Sequence, residues 1–207
     1  MALSPLYPVK AGAAIAIIAI VAAGGRKRHH PFARFGPANQ ITALRAVLVS
    51  LTLALVGEPH SNALASAAVA LGVLVMVLDG LDGWVARRTS MVSEFGARFD
   101  MEVDALLILV LSILAWQYGK AGAWVLLSGL LRYLFVASGW LWSWLRAALP
   151  SSRRGKIICI VQIAGLTAAV SPLVEWPGSA LIAAASLGAL AYSFAVDVVW
   201  LWQRSDR

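Results

Sequence analysis

Asp79, Asp82, Asp100 and Asp104 are the residues of this chain best suited to chemistry. They fall within DGLDGWVARRTSMVSEFGARFDMEVD, at the facing ends of two apolar segments, 63–78 and 105–116. Acids are costly within membrane helices, so their presence there points to function. Asp79 and Asp82 are three residues apart, and Asp100 and Asp104 are four apart. On helices both spacings put the two carboxylates of a pair on one face. A short polar connection makes the two helices antiparallel neighbours, with their acidic ends together. Four carboxylates in one small volume repel one another unless cations compensate them. Hard oxygen ligands suit Mg²⁺, Mn²⁺ or Ca²⁺, and two ions roughly 3.5–4 Å apart could clamp a phosphoryl group.

The residues around the acids fit such a ligand. Gly83, Ala86 and Gly96 are small and leave room for a bulky group beside the backbone. Arg87 carries a forked donor suited to phosphate. Upstream, Asn39, Thr42 and Arg45 recur every three residues and share one helix face. On spacing alone they read as an N-terminal cap by Asn39 and a snorkelling Arg45.

The elements that must position these groups are membrane helices. Of the 207 residues, 60% are hydrophobic and 13% charged, and the mean hydropathy is +0.79. That composition excludes an ordinary soluble domain and points to an all-α polytopic membrane bundle. Seven spans are expected: 9–25, 41–56, 63–88, 96–118, 123–149, 157–174 and 179–202. Residues 1–40 would form an N-terminal transmembrane helix with an interfacial linker, and 41–207 the main membrane domain. Basic residues gather on one side, at 26–34, 87–98, 146–156 and 204–207. Lys10, Glu58, Lys120 and Glu175 fall on the other. This positive-inside split places the aspartates in the cytoplasmic half of the membrane, and it assigns the net charge of +7 to loops, not to nucleic-acid binding. The single cysteine, Cys159, excludes an internal disulfide. Arg132 falls mid-span and needs an anionic partner, with Asp197 or a motif acid as the structural choice.

The order Asp79-x-x-Asp82-Gly83-x-x-Ala86-Arg87, eight residues, then Gly96-x-x-x-Asp100-x-x-x-Asp104 resembles the signature of the CDP-alcohol phosphatidyltransferases. All eight fixed positions agree. The six spans from Ile41 onward are similar to that family's six-helix core, with the first helix as an addition. The resemblance implies a phospholipid synthase of the bacterial inner membrane, active site facing the cytoplasm. It would transfer a phosphatidyl group from CDP-diacylglycerol to an alcohol acceptor, with release of CMP. It implies two divalent ions, Mg²⁺ or Mn²⁺, held by Asp79, Asp82, Asp100 and Asp104, with Asp100 and Asp104 catalytic and Asp104 the general base. Asn39, Thr42, Arg45, Gly83, Ala86, Arg87 and Gly96 would line the nucleotide and diphosphate site, although Ala38 stands where the family often has proline. Arg132, Arg153 and Lys156 would face the acceptor, and a homodimer is implied. Their positive charge favours a phosphorylated polyol such as glycerol 3-phosphate or inositol phosphate. Met101, Val103 and Ala105 depart from the Asp-Pro-x-Ala-Asp-Lys pattern of glycerol 3-phosphate enzymes, so serine, inositol or choline stays open as acceptor. A cation transporter using the same acids is the reading from another class. It leaves Gly83, Ala86, Arg87 and Gly96 unexplained.

Overall fold

The computed structural model describes residues 3–29, 36–89, 93–147 and 152–205, without side chains at 25–29, 86, 87, 89, 94 and 205. Residues 30–35 of the expected interfacial linker lie outside the described residues. The fold is all-α. Among the described residues seven helices follow in order: α1 Leu6–His29, α2 Pro37–Ala54, α3 Asn62–Thr89, α4 Glu94–Gln117, α5 Leu127–Leu141, α6 Arg153–Val170 and α7 Gly178–Ser205. Short 3-10 turns, Ala123–Leu126 and Ser143–Arg146, flank α5. Among the described residues four stretches are long and apolar enough to cross a membrane: Leu6–Gly24, Asn62–Val85, Ala123–Leu141 and Gly178–Arg204. The other three helices carry charge that lowers their hydropathy: Arg45 in α2, the acids opening α4, and Arg153, Arg154 and Lys156 opening α6.

The chain divides into two compact units, Met1–Val110 and Leu111–Arg207. In the first, α2 packs between partners α1 and α3. Its buried side chains include Asn39, Thr42, Arg45, Ala46 and Val49, which recur every three or four residues and so form one stripe. Helix α2 begins at Pro37, earlier than the sequence suggests. Proline reads as a breaker, but at the first helical position its fixed φ and missing N–H cost nothing. Gly36, at φ 74°, makes the turn into the helix, and no side chain caps it. Asn39 is therefore not the cap; it lies inside the first turn and is buried.

Helix α1 touches α2 through small buried residues, Ala11 and Ala14, while Val9, Ile17, Ile20 and Val21 face outward, as lipid contact requires. Polar contacts fix its N-terminal end. Lys10 Nζ donates to Glu58 Oε1 at 2.7 Å and to the Val56 carbonyl at 2.9 Å. Ser4 donates to both Glu58 oxygens, and Tyr7 Oη to the Leu51 carbonyl. The start of α1 and the α2–α3 turn thus lie at the same end, as the charge split requires of Lys10 and Glu58.

The Lys10 hydrogen bond, then those of Ser4, hold the Glu58 carboxyl below its ordinary value of 4.5. A depressed carboxyl contributes stability above the unfolded-state pKa, and that stability is lost as pH falls through the folded-state value. Glu58→Gln is expected to lower the thermal midpoint at neutral pH, with the gap to wild type closing below pH 4.5. Thermal unfolding of both proteins in detergent from neutral to acid pH checks this, and a pH-independent gap would contradict it.

In the second unit α6 packs on α7, and Gly165 makes the contact possible: a Cβ there would meet Ser186 Cβ at 2.8 Å. Lys120 Nζ donates to the Val174 carbonyl, and Ser179 Oγ donates to the Lys120 carbonyl, both at 2.7 Å, tying two turns together. The single helix expected over 123–149 is corrected. Helix α5 ends at Leu141, because Trp142 adopts extended backbone at φ −118°, ψ 105°. Arg146 Nε donates to the Gly139 carbonyl at 2.5 Å, a carbonyl left without a helical partner by the break. No Gly–Pro pair marks this point, so the apolar pattern runs through it unchanged. Trp124, Trp140 and Trp142 are exposed, in keeping with interfacial anchoring. Two further anchors were not evident from composition: Arg88 stacks over Trp84 at 4.3 Å and Arg204 over Trp200 at 3.8 Å. Their i, i+4 spacing is the signal that would have found them.

Candidate active site

Arg45 is the point on which the four aspartates converge. It lies on the buried stripe of α2, and its side chain has no exposed surface. Nη1 is 2.9 Å from Asp79 Oδ1 and 2.7 Å from Asp82 Oδ2, and it also meets Asp100 Oδ1. Nη2 donates to Asp104 Oδ1. Nη1 carries only two hydrogens. These go to Asp82 and Asp100, so Asp79 meets the nitrogen as an ion pair. Thr42, one turn before Arg45, presents Oγ1 3.1 Å from Asp82 Oδ2 and 3.2 Å from the Ala38 carbonyl oxygen. Its single proton serves one of them at a time.

Helical spacing explains the convergence. Asp79 and Asp82 are one turn apart on α3, and Asp100 and Asp104 one turn apart on α4, so each helix turns a pair toward α2. Arg45 does not snorkel; it is the counter-charge. Its guanidinium supplies one positive charge, shared among four carboxylates. One oxygen each from Asp79, Asp82 and Asp100 lie within 4.8 Å of one another. That spacing and that hard-oxygen donor set fit a divalent cation such as Mg²⁺ or Mn²⁺. Asp104 stands apart from this group of three and is joined through Nη2.

Gly96, in the first turn of α4, admits Asn39. A Cβ built on Gly96 would lie 2.6 Å from Asn39 Oδ1 and 3.2 Å from Ser93 Oγ. The glycine thus lets the first turns of α2 and α4 approach. Gly96→Ala is expected to cost about 1–3 kcal/mol as an overpacked contact, and Asn39→Ala in the same chain should recover most of it by vacating the space. Denaturant or thermal unfolding of the two single variants and the double variant checks this; additive losses would contradict it.

Of the residues picked out by sequence, the first unit brings together Thr42, Arg45, Asp79, Asp82, Asp100 and Asp104, with Asn39 against Gly96. Gly83 follows Asp82 on α3. The side chains of Ala86 and Arg87 lie outside the described residues. Arg132, Arg153 and Lys156 belong to the second unit. There Asp197 pairs with Arg154, because Arg154 sits in the first turn of α6 and α6 packs on α7. Gly155 and Lys156 are likewise helical, not part of a loop: α6 starts at Arg153, with Ser152 Oγ accepting from Gly155 N–H at 3.0 Å as its cap.

The family model for CDP-alcohol phosphatidyltransferases matches residues 36–199, from the turn into α2 to within α7. The chain belongs to the CDP-alcohol phosphatidyltransferase family. Two similar proteins from Mycobacterium tuberculosis, strains CDC 1551 / Oshkosh and ATCC 25618 / H37Rv, are each named "Probable phosphatidylglycerophosphate synthase". Each is 33% identical over 138 residues, 66% of this chain and 66% of the relative. The chain therefore spans about two thirds of the length of the curated relatives it matches. No solved structure gives a significant match. The family is one of phospholipid-synthesising transferases, and membership accounts for an acid cluster carried on membrane helices. Helix α1 lies before the matched region, so the cluster and its counter-charge lie wholly within the family portion.

Proposed function

We propose that this protein transfers a phosphatidyl group from CDP-diacylglycerol to a phosphorylated polyol, glycerol 3-phosphate or inositol phosphate, and releases CMP. The convergence of four motif aspartates on α2 carries this reading. The mycobacterial relatives' names support a phosphorylated acceptor. Basic residues at the opening of α6 support it too: Arg153 and Lys156 are exposed at a helix N-terminus, where backbone N–H groups and positive charge favour an anion. The distribution of basic residues supports a cytoplasmic-facing site.

Asp79, Asp82 and Asp100 would hold the divalent cation. Divalent ions, when bound, supply positive charge that stabilises the diphosphate and its leaving group. The chain's own residues do the rest. Asp104, outside the three-acid group, would act as the general base. It takes the proton of the acceptor hydroxyl. The hydroxyl oxygen forms a bond to the phosphorus bearing diacylglycerol, the bond from that phosphorus to the oxygen of CMP breaks, and CMP leaves with the electron pair. Thr42 orients Asp82, and Gly83, Ala86 and Arg87 accommodate the nucleotide and diphosphate.

CMP release from CDP-diacylglycerol by the purified protein with Mg²⁺ or Mn²⁺ tests the proposal. Release with glycerol 3-phosphate or inositol phosphate, and not with inositol, serine or choline, is expected. Release with one of the unphosphorylated alcohols alone would overturn the acceptor. Divalent-cation flux in vesicles without CMP release would overturn the reaction.

A further inference from the structure

The cluster around Arg45 has an imbalance that an ordinary structural ion pair lacks. A guanidinium has five donors. Here Nη1 is crowded by three carboxylates while Nε, equally buried, has no acceptor. The side chain is placed where charge is needed, at the expense of its own hydrogen bonding. It also meets the same three carboxylates, Asp79, Asp82 and Asp100, whose oxygens lie close enough to share a cation.

We propose that Arg45 is the built-in counter-ion of the metal-free protein, and that divalent cations bind by exchange with it. The inference rests on the acids being a metal site. Without a metal, the guanidinium holds α2 to α3 and α4 against the mutual repulsion of the carboxylates. With a metal, those carboxylates turn to the ion, and Arg45 is freed as a positive group beside the anionic ligand that the ion attracts. The exchange keeps the protein folded when empty and lowers its apparent metal affinity, because only the fraction of molecules with Arg45 withdrawn is competent to bind.

Mn²⁺ titration of the full-length protein in detergent, without nucleotide, tests this by the electron paramagnetic resonance of free Mn²⁺. If the Arg45-bound arrangement holds about nine-tenths of the metal-free population, Arg45→Gln should bind Mn²⁺ about tenfold more tightly. Its metal-free thermal midpoint should fall by several degrees while the Mn²⁺-saturated midpoint stays at the wild-type value. Arg45→Lys keeps the charge and loses the fork, so it should stay folded and bind with intermediate affinity. Unchanged or weaker Mn²⁺ binding by Arg45→Gln would overturn the exchange, as would equal losses of both midpoints, or Arg45→Lys binding as wild type does. A wild-type protein that binds no Mn²⁺ would overturn the metal site itself, and the exchange with it.

Discussion

Asp100→Asn should reduce transfer on the order of 10³-fold and weaken divalent-cation binding with it. Metal-borne stabilisation of transition-state charge is worth several kcal/mol, and each 1.36 kcal/mol is about tenfold in rate. The substitution keeps the size of the side chain, and the Asp100 carboxyl is the most exposed of the four, so the fold should survive. Asp104→Asn makes the informative partner. It should abolish transfer to a similar extent yet keep Mn²⁺ binding, because Asp104 stands outside the three-acid group. CMP release and Mn²⁺ titration on both variants check this. Near-normal activity of Asp100→Asn would remove the metal-site assignment. Loss of Mn²⁺ binding by Asp104→Asn would move that residue from base to ligand.

The second large effect concerns the acceptor. Lys156→Ala should raise the acceptor KM about tenfold, the scale of one lost charge-assisted contact to phosphate, and change the donor KM less. Lys156 is exposed one turn into α6, where the helix amides add to its field. Arg154 is the control: tied to Asp197 on α7, it should act through stability, with Arg154→Gln lowering the thermal midpoint and leaving the acceptor KM alone. Steady-state kinetics with each substrate varied in turn separates the two. A raised donor KM with an unchanged acceptor KM would reassign Lys156 to the nucleotide.

Much of this architecture was legible because membrane helices announce themselves by apolar length, and acids interrupting them at helical spacing are few. The quartet and its two helices follow from residues 63–116 alone. The role of Arg45 did not follow. The mid-span position of Arg132 marks it as the arginine that needs an acid, while Arg45, close to the start of an apolar stretch, can be satisfied by snorkelling. Only the true start of α2 at Pro37 makes Arg45 an interior residue. The same displacement of the helix start turned Asn39 from a cap into the group that Gly96 makes room for. The break at Trp142 was illegible because it depends on Arg146 reaching back to Gly139, a contact with no local sequence signal. Arg154, in the first turn of α6, reaches Asp197 on α7, a pairing between helices that spacing along the chain does not reveal.

Arg45 and the four aspartates all fall within residues 37–110, which has a bearing on how the protein enters the membrane. Each aspartate at the centre of a helix costs about 2.5–3.5 kcal/mol on insertion scales. Arg45 emerges from the ribosome before any of the four acids. A nascent chain can therefore pair each acid as its helix arrives, and no acid need wait for α5, α6 or α7 to be made. Early pairing with Arg45 lowers the cost of lodging α3 and α4 in lipid beside α2.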